Sequence, residues 1–499
     1  LQANAGINSV IGPSWITGKI FGPCLEVPFC RSKRLRRCAE GDRGNIGGRR
    51  RLGEAPPGER GVLGKIGAMK RELCVTLTVL VTATVGMAQA ERAPMPAYTQ
   101  DSVESSLFPA ADNREHSLPA AGAPELVPAA AGCAPDSPCC GERAWGDVEY
   151  VRWFIKDSHV PPLVTSGSSN DNPPGALGQP GTVLLFGGDI DNDARSGGRF
   201  SAVCWFDDCH RLGIDGSFFF LAQDSVSFVA HSDGSLGSPV LAIPYTDVTP
   251  GIPPGRAANA MVLAFPGQTA GAARVDLSSN LLGAEVNGRA RLLSGPGGHL
   301  DVFTGFRYLR LSEALDLLGT ESSVNNQGFD FSVGTLSSFA DRNNFYGWQF
   351  GTEGELTWGP WFVDLRGKLG LGENHQSVSI DGTTAGTFQG QAQSASVGPF
   401  AFPSNLGHYS RERLSFVPEA GIDVGYQLTR HLRAKAGYTF IYWTDVVRPG
   451  DQIDPAMNNS LVPFPFGIGN PGGPARPSFS FKETDFWAQG VSVGFEFRY

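Results

Sequence analysis

No stretch of this 499-residue sequence approaches the 18 or more consecutive apolar residues that a membrane-crossing helix requires, which excludes a helical membrane protein. Charge is scarce, with Asp, Glu, Lys and Arg together making up 18% of the chain. The eight histidines are scattered without paired spacing, so no metalloenzyme pattern is visible. What is present in quantity is Gly, at 65 residues, and Phe, at 32. Glycine and aromatics with modest charge suit many β-strands joined by turns and irregular loops, in a barrel or an ordinary sandwich.

The charge that exists is unevenly placed. Residues 1–90 hold 14 Lys+Arg against 6 Asp+Glu, a surplus of +8, which leaves 26 against 43, or −17, for residues 91–499. An acidic surface cannot neutralise phosphates, so nucleic acid is excluded as a partner of that part.

The boundary at residue 90 has its own signature. Met69-Lys70-Arg71, the apolar stretch Leu73 to Met87, and Ala88-Gln89-Ala90 read as the three parts of a secretory signal, with cleavage after Ala90. The competing reading, a buried core helix, is weakened by Thr76, Thr78, Thr82 and Thr84, poor helix formers. A signal works at an amino terminus, so residues 1–68, Arg- and Gly-rich from Arg31 to Arg60, are expected to be a disordered, over-extended gene model. Residues 91–141, rich in Ala and Pro, read as a periplasmic tether. They carry Cys133, Cys139 and Cys140, and with Cys204 and Cys209 make five cysteines after the cleavage site. Cys204 and Cys209 flank an expected turn and are candidates for a disulfide. The Cys133 cluster matches no zinc spacing, and no Cys follows Ala90 to accept lipid.

From residue 142 to 499 period-two alternation recurs. Trp487, Val491, Val493, Phe495, Phe497 and Tyr499 share one face of the last strand, opposite Ala488, Gly490, Ser492, Gly494, Glu496 and Arg498. One face suits lipid and the other a polar interior. The aromatic ending resembles the carboxy-terminal signal read by the outer-membrane assembly machinery. The same alternation sets Glu285, Arg289, Arg291, Glu353, Glu355, Asp364, Arg366, Lys368, Glu419, Asp423, Arg433, Lys435, Glu496 and Arg498 on inward faces. Trp358, Trp361, Tyr442, Trp443 and Trp487 are candidates for interfacial girdles. Ten strands result, joined by short turns near 207, 295, 359 and 430. Long connections span roughly 157–197, 223–272, 313–342, 373–413 and 447–484. Short turns alternating with long loops are the asymmetry of an outer-membrane barrel, with both termini periplasmic. The expected fold is therefore all-β: a closed antiparallel up-and-down transmembrane barrel of about ten strands, range 10 to 14.

Several stretches then resemble β-barrel porin family 7 of bacterial outer membranes. They are Pro161-Pro162-Leu163-Val164-Thr165, Asp193 to Phe200 (DARSGGRF), Gly305-Phe306-Arg307-Tyr308-Leu309, Asn344 to Gly351 (NFYGWQFG) and Gly425-Tyr426. The resemblance covers about residues 145–499. It implies a barrel in the outer membrane and transfers no catalytic or ligand residue.

Two enzyme motifs match by letter only. Gly490-Val491-Ser492-Val493-Gly494 lacks the strand-to-helix turn and the downstream Asp and His of a nucleophile elbow. Gly467 to Gly472 copies a dinucleotide fingerprint, but Pro471 prevents the helix it needs. Asp189, Asp191 and Asp193 alternate in the first long loop, yet Ala194 and Phe200 stand where a calcium hand needs Gly and Glu. No cofactor and no enzyme activity are expected. Aqueous porins use about 16–18 strands, and about eight strands leave an interior filled by side chains, so ten strands predict a narrow or plugged lumen. The expected function is a porin-like surface barrel whose partners are outer-membrane lipid, the assembly machinery, and small solutes or extracellular surfaces. A non-conducting adhesive or structural barrel and a barrel enzyme are the alternatives.

Overall fold

The computed structural model describes residues 143–253, 257–324, 330–463, 466 and 471–499. The signal segment, the tether with its three cysteines, and residues 467–470 of the false fingerprint lie outside these. In chain order the strands are β1 (Ala144–Ile155), β2 (Ser158–Gly167), β3 (Val183–Ile190), β4 (Arg195–Trp205), β5 (Leu212–Leu221) and β6 (Asp224–Ser232). Then come β7 (Val240–Asp247), β8 (Ala258–Ala264), β9 (Thr269–Gly295), β10 (Gly298–Ser323), β11 (Phe331–Trp358) and β12 (Trp361–Phe388). The last are β13 (Gln391–Ala395), β14 (Gly407–Thr429), β15 (Leu432–Val446), β16 (Ala456–Met457) and β17 (Thr484–Arg498).

Ten of these close a ring. The order β10, β11, β12, β14, β15, β17, β1, β4, β5, β9 returns to β10, antiparallel at every step. Closure leaves the ring without an open edge, as a hydrocarbon environment demands. Tyr499 N–H donates to Ala144 O at 2.8 Å, so the last residue joins the first ring strand.

The outer surface explains why these strands form. On β12, Trp361, Leu365, Leu369 and Leu371 point out and are 41–51% exposed, followed by Glu373 and His375. On β14 the outward row runs from Leu428 through Tyr426, Val424, Ile422 and Phe416 to Leu414, then turns polar at Glu412. On β11 it turns polar at Asn344 and on β10 at Arg310. The apolar run covers residues 361–371 on β12 and 414–428 on β14, at least the span of about 9–11 residues that a tilted strand needs to cross a bilayer. Trp358 and Trp361 mark the turn end of this band, where the Trp361 ring meets Tyr426 edge-on at 5.0 Å.

Beyond the band the structure departs from the expected loops. Residues 313–323, 331–342, 373–388 and 407–413 continue as strand, so β9 to β12 reach 26–28 residues each. Their outward residues there are mostly polar, and where the inner face is polar too, at Asp341 and Asn343 on β11 and Asn374 and Gln376 on β12, the alternation that marks a lipid-facing strand is lost. The connections 157–197 and 223–272 fold as β2, β3, β7 and β8, forming a second sheet with β16 in the order β16-β7-β2-β3, β8 pairing β7. This cap packs an apolar core, including Leu163, Ile243 and Leu263, against Leu315, Leu317, Phe339 and Ile380 of the extended ring strands.

Candidate functional site

All fourteen charges assigned to the lumen face inward, with side chains at most 20% exposed where paired. They do not line open water. Arg289 is a hub, reaching Asp215 at 3.0 Å, Asp301 at 3.2 Å and Glu353 at 2.5 Å, while Arg291 meets Asp301 at 2.7 Å. Lys435 lies 2.8 Å from both Asp147 and Glu149. Lys368 holds Glu285 at 2.5 Å, Arg307 holds Glu419 at 2.6 Å, and Arg366 approaches Asp423 at 3.5 Å. Arg433 reaches Glu355 at 2.6 Å, and Arg498 binds Glu355 at 3.2 Å and also Glu496. Asp364 is buried and makes no ion pair among the described residues.

Six further members escaped the sequence reading: Asp147, Glu149, Arg199, Asp215, Asp301 and Arg307. Asp147 and Glu149 were readable, since Val148 and Tyr150 alternate with them outward. Asp301 and Arg307 were masked by a register shift at Leu300/Asp301, and by Tyr308, which faces out yet is covered by Tyr346 at 5.2 Å. Aromatic rings fill the gaps, with Arg433 over Phe362 at 4.3 Å and Arg199 over Trp153 at 5.0 Å. The space left is about 60 Å³ of water-sized room, enough for a few ordered waters.

Directly above this layer the interior turns apolar. Trp153, Phe219, Leu281, Leu309, Phe345, Val417, Trp443 and Phe486, one from each of eight strands, meet across the ring. Trp443 is thus wholly buried inside the ring and belongs to no interfacial girdle.

A third layer is a chain segment. Near the end of β15 the backbone turns inward at Asp445, whose φ is 57°, and wall side chains grip it. Asn343 accepts from Val447 N at 2.9 Å and donates to Val447 O at 2.8 Å. Asn374 and Gln376 donate to Asp445 O at 2.7 and 2.6 Å, and Ser415 donates to Thr444 O at 2.7 Å. Arg448 then spends its donors on Glu313, on Lys156 O and Asp157 O, and on Ser158 Oγ. Gly450 permits the contact, because a Cβ there would stand 1.9 Å from His159 O.

The remaining candidates resolve simply. Val491, Val493, Phe495 and Phe497 point outward at 39–55% exposure, Trp487 is half-buried, and Tyr499 follows the strand. Cys204 and Cys209 are thiols with no disulfide between them, correcting that expectation. Ser492 sits mid-strand in β17 opposite Val151 and Gly437, so no elbow exists. Asp189 binds His159 at 2.8 Å, and no group of three metal-ligating side chains occurs among the described residues.

Residues 145–499 match the family model described as "Putative beta barrel porin-7 (BBP7)". No curated protein matches the chain by sequence. Among solved structures, the outer membrane protease OmpT from Escherichia coli is 9% identical over 72% of this chain and 97% of its own, with a TM-score of 0.34. The toluene transporter TodX of P. putida is 9% identical over 73% and 91%, with a TM-score of 0.19. A FadL homologue of Pseudomonas aeruginosa is 8% identical over 72% and 90%, with a TM-score of 0.18.

Proposed function

Since the chain belongs to the beta barrel porin-7 family and is an outer-membrane β-barrel, we propose that it is a plugged barrel that conducts no solute and holds its cap at the cell surface. The observation that carries this reading is the double obstruction of the lumen: a near-balanced ionic layer beneath an apolar one, with the segment after Val446 gripped above both. A diffusion pore needs a continuous wetted path, and the packing of both layers supports a plug instead. On this reading the turn end faces the periplasm and the cap faces out. Outer-membrane lipid covers the apolar band, the assembly machinery reads the outward row of β17, and the cap meets extracellular surfaces. The protein performs no catalysis. Planar-bilayer recording of the purified, refolded barrel tests it: current should stay at background, and reproducible conductance steps overturn the proposal.

A gated pore is the second reading, favoured by one feature. Asp341 lies buried opposite Glu313, and neither of its carboxylate oxygens has a hydrogen-bond partner among the described residues, which loads the place where the plug is fastened. Release of Arg448 alone should still give no current, because the apolar and ionic layers remain.

A further inference from the structure

The cap encloses a cavity that nothing above uses. It has about 400 Å³ of water-sized room and lies between the cap strands β7 and β8 and the far ends of β10, β11 and β12. A space of this size suits a small organic molecule. One wall is aromatic: the Phe331 and Phe388 rings stack at 6.1 Å with planes 14° apart, and Phe466 lies 5.7 Å from Phe388. Met261, Leu263 and Val462 close other sides.

The polar side chains of the lining already have hydrogen-bond partners. Thr384 donates to Val397 O at 2.6 Å, Thr335 to Gly319 O at 3.4 Å, and the Tyr245 hydroxyl accepts from Asn459 at 2.8 Å. Glu321, on the inward row of β10, differs from the other inward glutamates of the ring in lacking a cation. Every other inward-facing glutamate of the ring strands has a Lys or Arg within ion-pair distance. Glu321 has none among the described residues, only a hydrogen bond with Thr269. Burial accordingly pushes its carboxyl up to about 7. A carboxylate without a cation, set among aromatic faces that carry negative potential, is complementary to an ammonium group on an apolar body.

We propose that this cavity is a binding site for a small hydrophobic amine, its ammonium group paired with Glu321 and its apolar body against Phe331, Phe388 and Phe466. The apolar lining excludes strongly hydrated cations such as free Na⁺, which gain nothing from such walls. The site does not depend on whether the barrel conducts.

Phenylbutylamine, with phenylbutanol and phenylbutyrate as isosteric controls, tests the inference on the full barrel in lipid nanodiscs, titrated calorimetrically at pH 8 against empty nanodiscs. The amine should bind saturably, the alcohol and the acid at least tenfold more weakly, and Glu321→Gln should weaken the amine at least tenfold. Met261→Trp, which fills the cavity from the cap side, should abolish binding while heat-shifted gel mobility shows an intact ring. Should that variant disturb the fold, Val462→Trp fills it from another wall. Equal affinity for amine and alcohol, an unchanged Glu321→Gln variant, or no heat above empty nanodiscs overturns the proposal.

Discussion

Arg448 and Glu313 meet side-on, Nε and one Nη each 2.8 Å from a separate carboxylate oxygen, deep inside the ring. This fork joins the segment after β15 to β10, and through Lys156, Asp157 and Ser158 it also fixes the start of the cap. Removing one member of a buried pair leaves the other uncompensated, at a cost of about 3–5 kcal/mol. Glu313→Ala should therefore loosen the cap and leave the ring closed. Protease cleavage within 447–484 should accelerate while heat-modifiable gel mobility stays as in the parent. Loss of the mobility shift would place the latch in the ring's own folding.

The ionic layer makes opposite forecasts for two of its members. Lys435 stands between Asp147 and Glu149 at 2.8 Å from each, so Lys435→Met strands two carboxylates and should cost about 3–5 kcal/mol. Asp364 has no ion-pair partner among the described residues, and Asp364→Asn should change stability by less than about 1 kcal/mol or raise it. Urea unfolding in lipid vesicles, followed by tryptophan emission, ranks the two. Equal losses would mean that the charges act as one indivisible network.

Depth in the membrane should be measurable on a single strand. Leu369 and His375 both face outward on β12, the first within the apolar band and the second beyond its end at Leu371. An arginine near the bilayer midplane of a barrel costs about 2–4 kcal/mol and near the interface about 0–1. Leu369→Arg should thus be costly and His375→Arg nearly neutral in the same unfolding experiment. Similar costs at both sites would displace the proposed lipid band.

These three cases show what could be read without coordinates. Leu369 and Lys368 announced their faces because lipid outside and charge inside are chemically opposite, and period two sorts them. The same contrast placed ten strands. It fails above Leu371, where Glu373, His375 and Ser377 outside are backed by Asn374 and Gln376 inside, and strand becomes indistinguishable from loop. Trp443 misled for a related reason: an aromatic at a strand end fits a girdle and a stopper equally, and only the phase of β15 turns it inward. The Asn343 grip on Val447 had no local signal, because its partners are 104 residues apart.

Close packing inside the ring sets a steric test. A Cβ on Gly437 of β15 would stand 1.7 Å from Asp423 Oδ1, so the residue must be glycine while Asp423 keeps its rotamer. Gly437→Ala should lower stability by about 1–3 kcal/mol, as overpacking does. Adding Asp423→Ala should cancel part of that loss in a double-mutant cycle, since the two sites are in contact. Strict additivity would show that the wall yields instead of the carboxylate.

Glu321 carries a pH dependence whose sign is fixed by its environment. Its carboxyl is raised from 4.5 to about 7, so the folded cap holds the proton more tightly than the unfolded chain. Below about 4.5 both states are neutral there and burial costs nothing. Between that value and about 7 the penalty grows, and above 7 it is complete, so stability falls as pH rises through this window. Glu321→Gln removes the ionisation, and its gain over the parent should be absent at pH 4 and full at pH 8. Hydrogen exchange of β7 and β8 amides reads the difference locally. A bound amine supplies the missing cation, so saturating phenylbutylamine should erase the gap at pH 8 and leave pH 4 unchanged. A gap that persists with amine present would mean that the ammonium sits elsewhere in the cavity.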